Sequence, residues 1–308
     1  MVGVPMSQSV PRIIVDSRCA HGEGVVWCAR RQLLLWVDID GAQLWLHRPG
    51  DGLTRQWPLP DRPGCLGLVE DGSVLLALAK GLYLADLDAG LDGNELPLRH
   101  LAPVEPELAH TRSNDGRADR HGNFVFGTMN EHPEHAPTGA FYQFSFRHGL
   151  RRLPLPGVAI PNSICFSADG RTLYYCDSVR QQILCAGYDP DTAQVHDARV
   201  FAQVDDHPGA SPDGSTLDAQ GGLWNAQWGG ARVVRYRADG SRDRIVPMPV
   251  PQPSCCTIGG PGLDTLYVIT SPQGLGDDAR AQYPHSGSLY ALALGEPLGL
   301  EESRVAAP

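Results

Sequence analysis

One pattern of paired strands recurs along the chain and constrains its fold more than any other feature. In each copy a turn precedes a short apolar strand, a polar or glycine-bearing turn follows, and a second strand completes the pair. The copies occupy residues 30–48, 70–87, 119–145, 168–189, 219–240 and 263–292. Their spacing of roughly 40 to 50 residues is typical of β-propeller blades and too long for leucine-rich or tetratricopeptide repeats.

The absence of helical periodicity points the same way. No window sustains the i, i+3, i+4, i+7 spacing of an amphipathic helix, and Gly and Pro interrupt the chain about every twenty residues. A four-stranded unit cannot bury both of its faces alone, so such units pack radially around a channel. We therefore predict an all-β chain, a single six-bladed β-propeller over residues 1–308, with about residues 1–12 as a short N-terminal extension. A pair of β-sandwiches is the alternative, but sandwiches do not require one hairpin at near-constant spacing.

Composition excludes several classes of protein. A hydrophobic content of 42% and a charged content of 19% argue against disorder, and no apolar run approaches the roughly 20 residues that cross a bilayer. With 35 acidic and 25 basic residues and no basic cluster, we expect no nucleic-acid partner. The opening residues lack the apolar stretch of a secretory signal. We expect a soluble cytoplasmic protein, without a membrane partner, that is a monomer or a small homo-oligomer.

Three other patterns do not indicate a site. The eight cysteines form no CxxC pair, and we interpret most of them as small buried hydrophobic residues. The segment "HPEH" at 132–135 contains a proline and is expected to be a solvent-exposed loop. The segment "DGRADRHGN" at 115–123 is not an EF-hand, because Arg117 stands where a ligand is required.

The start of each predicted innermost strand is the best indication of a functional site. Counting back about ten or eleven residues from the first strand of each repeat reaches the start of the innermost strand, whose loop faces one mouth of the channel in a propeller. The residues found there are Glu23, Gly64, Asn114, Asn162, Asp213 and Cys255 or Cys256. Because equivalent strands converge, Glu23, Asn162 and Asp213 are expected to meet although they are far apart in sequence.

Two carboxylates and an amide carbonyl are hard oxygen ligands, suited to Ca²⁺, Mg²⁺ or Mn²⁺ and less strictly to Zn²⁺ or Fe²⁺. Taken alone, "PN" and "PDG" are ordinary turn sequences. However, the two motifs occur at equivalent repeat positions, and Glu23 at a third such position is a poor turn former. We therefore interpret Glu23, Asn162 and Asp213 as ligands. We predict one divalent cation with coordination positions left open for chemistry.

Five segments carry a resemblance that spans nearly the whole chain. They are "GEGVVW", "RSNDGRADRHGNFVFGTM", "PNSICFSADGRTLYYCDS", "SPDGSTLDAQGGLWNAQWGGARVVRY" and "CCTIGGPGLDTLYVITS". In these segments the chain resembles the gluconolactonase/regucalcin family, also called the senescence-marker-protein family, of six-bladed propeller metalloenzymes.

The resemblance implies a role for particular residues. It implies metal ligation by Glu23, Asn162 and Asp213, with Asp213 also the catalytic base, and it places Arg112 and Asn114 on the substrate-contacting pair. A further acidic substrate contact is expected after "GTM". Glu131 is the candidate there, and His132 is the alternative.

These residues lead to one main hypothesis and two alternatives. The main hypothesis is a metal-dependent hydrolase of sugar catabolism that opens an aldonolactone, a pentonolactone in preference to a hexonolactone, to the aldonic acid. The alternatives are a non-catalytic metal-binding propeller and a hydrolase of phosphotriesters or lipophilic lactones. Five tryptophans are expected to pack between blades, although Trp228 could instead form a wall of the pocket.

Overall fold

The computed structural model of the chain describes residues 10–308, and nearly all of its regular structure is β-strand. Most of the predicted N-terminal extension, about residues 1–12, lies outside the described residues. Its last residue, Arg12, begins the first strand. No helix in residues 10–308 is long and apolar enough to span a membrane.

The strands of the described residues assemble into six sheets, each built on four antiparallel strands, which are the blades. In chain order the strands are β1 (Arg12–Val15); β2 (Gly22–Cys28), β3 (Leu33–Asp38), β4 (Gln43–Arg48) and β5 (Leu53–Pro58) of blade one; β6 (Pro63–Val69), β7 (Val74–Leu78), β8 (Gly81–Ala85) and β9 (Leu98–Pro103) of blade two; β10 (Thr111–Ala118), β11 (Phe124–Asn130), β12 (Phe141–Ser145) and β13 (Gly149–Arg152) of blade three; β14 (Pro161–Phe166), β15 (Thr172–Asp177), β16 (Gln182–Asp189) and β17 (Gln194–Gln203) of blade four; β18 (Ser211–Leu217), β19 (Leu223–Trp228), β20 (Arg232–Tyr236) and β21 (Arg242–Pro247) of blade five; β22 (Pro253–Gly259), β23 (Thr265–Thr270) and β24 (Leu289–Ala293) of blade six; and β25 (Arg304–Val305). Short helices occur at α1 (Leu87–Asp92) and α2 (Asp277–Gln282), and a 3₁₀ turn at Ser178–Arg180.

The two ends of the described chain fasten the ring. Strand β1 is the outermost strand of blade six, where it runs antiparallel to β24 with Ile13 opposite Tyr290. Strand β25 runs parallel to β6 at the inner edge of blade two, with Val305 opposite Val69. Each predicted hairpin forms the two middle strands of one blade, so the prediction of an all-β, six-bladed propeller is confirmed.

The hydrophobic core lies between blades rather than within them. Buried side chains of residues 10–308 form six clusters, and each cluster joins two neighbouring blades. Between blades six and one, for example, Trp27 and Trp36 pack with Ile269. All eight cysteines are buried and unpaired within the described chain, as predicted. Because every blade shares its apolar faces with two neighbours, burial is complete only in the closed ring.

Candidate active site in the central channel

A cavity of about 350 Å³ opens at the mouth of the channel where the innermost strands begin. It brings together five of the six predicted site residues, namely Glu23, Arg112, Asn114, Asn162 and Asp213. They come from β2, β10, β14 and β18 of four blades. The expected convergence of equivalent strand positions is therefore what the structure shows.

Irregular register near the start of the innermost strands turns these side chains toward the cavity. The pairing of β2 with β3 shifts between Glu23 and Val26, and the pairing of β14 with β15 shifts between Asn162 and Cys165. The residues that follow the two ligand candidates, Gly24 and Ser163, both have positive φ, at 60° and 61°. Such bulges re-aim side chains and are frequent beside active sites.

Aspartates at the ends of the second strands hold the segments that lead into the site. The carboxylate of Asp38 accepts hydrogen bonds from the backbone N–H groups of Ala20 and His21, at 2.9 and 2.8 Å. In blade four, Asp177 accepts equivalent bonds from Ala159 and Ile160, both at 3.1 Å. These bonds fix the chain just before Glu23 and Asn162.

The predicted substrate-binding pair is buried and internally bonded. Arg112 donates from Nη1 to the Asn114 side-chain oxygen at 2.8 Å. Asn114 in turn donates to Asn162 Oδ1 at 3.1 Å and to the carbonyl oxygen of Pro161 at 2.9 Å. Arg112 is 4% exposed and Asn114 is 8% exposed, so both side chains are held in the cavity wall.

Glu131 lies behind this wall, outside the set of side chains that line the cavity. Its carboxylate binds the guanidinium of Arg62 with two bonds of 2.7 Å and also accepts from Arg112 Nε at 3.2 Å. The neighbouring arginines hold its pKa below the usual value. His132, the alternative candidate, is exposed and packs against His110, with ring centroids 5.8 Å apart. A direct contact of either residue with substrate stays a prediction.

The two carboxyl groups at the mouth have raised pKa values. Burial is the main cause for both, followed for Glu23 by the charge of Asp115 and for Asp213 by the charges of Glu23 and then Asp115. Three carboxyl groups, each less than a tenth exposed, thus act on one another electrostatically. Such a group disfavours ionisation unless a positive charge is bound nearby.

Asp115 is a functional candidate that the sequence analysis missed, although it directly follows Asn114. Its Oδ2 accepts from the backbone N–H of Ile164 at 2.8 Å, and burial raises its pKa. Further down the channel, Arg117 crosses from β10 to bond the hydroxyl of Thr216 at 3.1 Å. Arg117 also forms a buried ion pair with Glu302 at 3.0 Å, so the C-terminal segment supplies a charge to the channel.

His21 and Trp228 form another part of the cavity wall, and the position of Trp228 agrees with one of its two predicted places. Their ring centroids are 5.5 Å apart. His21 is 6% exposed, and its Nδ1 lies 3.7 Å from Asp40, whose carboxylate is bonded by Gln273 at 2.9 Å. Sequence reasoning missed His21, because one histidine before "GEG" carries no pattern of its own.

The donor set fits a divalent cation. Within residues 10–308 no cluster of three His, Cys, Asp or Glu side chains is arranged to hold a metal ion, but the predicted set consists of two carboxyl groups and one amide. Asp213 Oδ1 is buried and has no hydrogen-bond partner among the described residues. Asn162 Oδ1 accepts one hydrogen bond and keeps a second lone pair. A cation would satisfy both atoms and offset the repulsion between the carboxylates.

Comparison with known proteins gives a consistent result. A family model, described as the SMP-30/Gluconolactonase/LRE-like region, matches residues 21–272. The chain is 44% identical to an L-arabinolactonase from Azospirillum brasilense, over 96% of this chain and 95% of the relative. It is 31% identical to a 6-deoxy-6-sulfogluconolactonase from Pseudomonas putida, over 93% and 95%. A solved structure described as a calcium-binding protein, regucalcin, from Agrobacterium tumefaciens superposes with a TM-score of 0.87 at 29% identity, covering 97% of this chain and 98% of that one.

Proposed function

This chain belongs to the SMP-30/gluconolactonase/LRE-like family, and from that premise we propose that it is a divalent-metal-dependent hydrolase of sugar lactones. One observation carries the proposal. Two carboxyl groups, an amide oxygen and an arginine–asparagine pair line the same cavity at the mouth of the channel. A cyclic ester that bears several hydroxyl groups needs both a polarised carbonyl and fixed hydrogen-bond partners.

The chemistry divides between a cation and the side chains around it. A divalent cation held by Glu23, Asn162 and Asp213 would act as a Lewis acid toward the lactone carbonyl. Asp213 accepts a proton from the water that attacks the carbonyl carbon. The ring C–O bond then breaks, and Asp213 returns the proton to the departing ring oxygen, so the products are a carboxylate and a free hydroxyl group once the acid ionises. Acid–base assistance of this kind contributes typically 10²- to 10⁴-fold.

The rest of the cavity wall positions the sugar. The guanidinium of Arg112 donates to substrate oxygens, and Asn114, whose two amide hydrogens are already bonded within the protein, accepts from a substrate hydroxyl group through Oδ1. Trp228 and His21 offer ring faces against which the C–H surface of a sugar packs. We propose a five-carbon aldonolactone as substrate, supported by the name of the 44% identical relative.

The decisive experiment is an acid-release assay on purified protein with added Mn²⁺ and a pH indicator. The panel contains L-arabinono-, D-xylono- and D-gluconolactone, an aliphatic lactone of the same ring size and a phosphotriester. We expect acid release from the sugar lactones, with the highest kcat/KM for a pentonolactone. The variant Asp213→Asn is the matched control for spontaneous hydrolysis, which aldonolactones undergo in water.

The same assay separates the alternatives. Turnover of the phosphotriester or the aliphatic lactone with none of the sugar lactones would replace the proposed substrate class. Binding of Mn²⁺ without turnover of any panel member would indicate a non-catalytic metal-binding propeller. Full activity of protein verified as metal-free by elemental analysis would contradict the proposed role of the cation.

A further inference from the structure

The direction of one amide decides whether the predicted cation site can form. Asn162 ligates a cation only through its oxygen, because its nitrogen carries two hydrogens and donates. In the structure Nδ2 donates to the hydroxyl oxygen of Ser178 at 2.9 Å, and Oδ1 accepts from Asn114 at 3.1 Å. Asn162, Ser178 and Asn114 are 5%, 7% and 8% exposed, so water does not compete freely for these bonds.

One end of this hydrogen-bond chain is a group that can only donate. The guanidinium of Arg112 has no acceptor and gives a hydrogen to Asn114 Oδ1 at 2.8 Å. The amide nitrogen of Asn114 must therefore face the other way, toward Asn162. This places a donor opposite the side-chain oxygen of Asn162.

The other end is a group that can only accept. The Ser178 hydroxyl donates to the backbone carbonyl oxygen of Pro212 at 2.7 Å. A hydroxyl has a single hydrogen, so Ser178 must accept from Asn162 rather than donate to it. The chain from Arg112 to Pro212 therefore has one direction, fixed at both ends, and it crosses blades three, four and five.

We propose that Ser178 is a positioning residue. It holds the side-chain oxygen of Asn162, Oδ1, toward Glu23 and Asp213 and thereby sets the affinity of the site for a divalent cation. The inference rests on the proposed function for the existence of that site. Without the hydroxyl, Nδ2 loses its acceptor, and only the bond from Asn114 still opposes a rotation of the amide that would present its nitrogen to the cation. Partners that orient a ligand in this way typically change metal affinity by about 10- to 100-fold.

The test measures cation affinity directly, by calorimetric titration of metal-free protein with Mn²⁺. We expect Ser178→Ala to bind Mn²⁺ at least about 10-fold more weakly than wild type. Ser178→Thr retains a hydroxyl and should stay within about 3-fold. Lactone turnover by Ser178→Ala should return to near wild-type kcat at saturating Mn²⁺, because Asp213 is unchanged. Ser178→Cys has a similar volume and a weak hydrogen-bonding group, so it reports the same loss if the alanine variant does not fold.

Ser254 provides a matched control. Its hydroxyl donates to the carbonyl oxygen of Gly22 at 2.6 Å, just before Glu23, as Ser178 does just before Asp213. No side-chain amide bonds to it in the described part of the chain. Ser254→Ala should lower the melting temperature as Ser178→Ala does, yet keep Mn²⁺ affinity within about 2-fold.

The outcomes separate this inference from the proposed function. Unchanged Mn²⁺ affinity in Ser178→Ala, in a protein that binds the cation and hydrolyses lactones, overturns the positioning role alone. An equal loss of affinity in Ser178→Ala and Ser254→Ala also overturns it, since a backbone tether would then suffice. A wild-type protein that binds no divalent cation overturns both the inference and the proposed cation.

Discussion

The proposed roles of Asp213, as a ligand of the cation and as the catalytic base, can be separated by a single substitution. Asparagine keeps an oxygen for the cation but cannot accept a proton near neutral pH. We expect Asp213→Asn to lower kcat by on the order of 10²-fold or more, with KM little changed. Steady-state kinetics on a pentonolactone, with metal content checked by elemental analysis, measures the effect. Near-normal kcat with intact metal content would assign the base to another group.

Arg112 should affect binding more than the chemical step. Arg112→Ala removes contacts made to the ground state as well as the transition state, so we expect KM to rise by about 10-fold or more with a smaller change in kcat. Arg62→Ala is the control, because Arg62 binds the same Glu131 carboxylate but does not line the cavity. A similar rise in KM for both variants would show that substrate binding depends on the ion pairs of Glu131 rather than on a direct contact with Arg112.

The raised pKa values of Glu23 and Asp213 predict how the metal-free protein responds to pH. The pKa of Glu23 is raised from its ordinary value of 4.5 to about 8 in the folded state. Between these two pH values Glu23 keeps its proton in the folded protein and loses it in the unfolded chain. The folded state therefore binds more protons than the unfolded state in this range, and stability falls as the pH rises, by on the order of a few kcal/mol. Urea unfolding in EDTA from pH 5 to 8 measures the slope.

A cation should reverse this trend, because it binds the ionised carboxylates and releases their protons. The gap in melting temperature between Mn²⁺ and EDTA is expected to widen from pH 5 to pH 8. Glu23→Gln removes one of the titrating groups and should flatten the EDTA curve. A wild-type EDTA curve that rises over the same range would contradict the prediction.

At the scale of elements, the clearest prediction concerns Asp177, the aspartate at the end of β15. Asp177→Ala leaves the N–H groups of Ala159 and Ile160 without their partner, at a cost of about 1 to 3 kcal/mol. Because this segment enters β14, Mn²⁺ affinity should fall as well. Asp169→Ala, in an exposed turn of the same blade, should cost less than about 1 kcal/mol and leave the affinity unchanged. Urea unfolding and calorimetric titration give both values, and equal behaviour of the two variants would argue against this role of Asp177.

The sequence predicts the elements well because hairpins are local. Each blade's middle strands are contiguous, and their turns and alternation are readable within about twenty residues. Counting back from them locates Glu23, Asn162 and Asp213, since the innermost strand precedes each hairpin at a near-constant distance. Strands β1 and β25 pair with strands that are far away in the sequence, so no local sequence pattern predicts these pairings.

Side-chain direction was harder to predict than strand position. Neighbouring side chains in a regular strand point to opposite faces. If Asn114 faces the cavity, a regular strand would therefore turn the side chain of Asp115 away from it. The register of β10 shifts between Ser113 and Gly116, and this irregularity lets both residues serve the channel. Ser178 contacts Asn162 from the turn after β15, 16 residues further along the chain. Arg62 contacts Glu131 from the loop between β5 and β6, so neither contact follows from a local sequence pattern.

For the whole molecule, the lower channel depends on the C-terminal segment. Glu302→Gln leaves Arg117 buried with an uncompensated charge, and we expect a loss of about 3 kcal/mol in the free energy of unfolding. The adjacent Glu301 is 57% exposed in its pair with Arg304, so Glu301→Gln should cost less than about 1 kcal/mol. Denaturant titration compares the two. Equal losses would show that Arg117 does not depend on its buried partner.

The closure of blade six by β1 also bears on how the protein is made. On the ribosome, Ile13 emerges roughly 280 residues before Tyr290, so at about 5 to 20 residues per second the first strand waits roughly 15 to 55 seconds for its partner. Until the strands of blade six are made, the face of blade one that carries Trp27 and Trp36 has no neighbour. The nascent chain must therefore hold an apolar surface in water through almost the whole of its synthesis, and a chaperone that binds such surfaces would meet the N-terminal blade first.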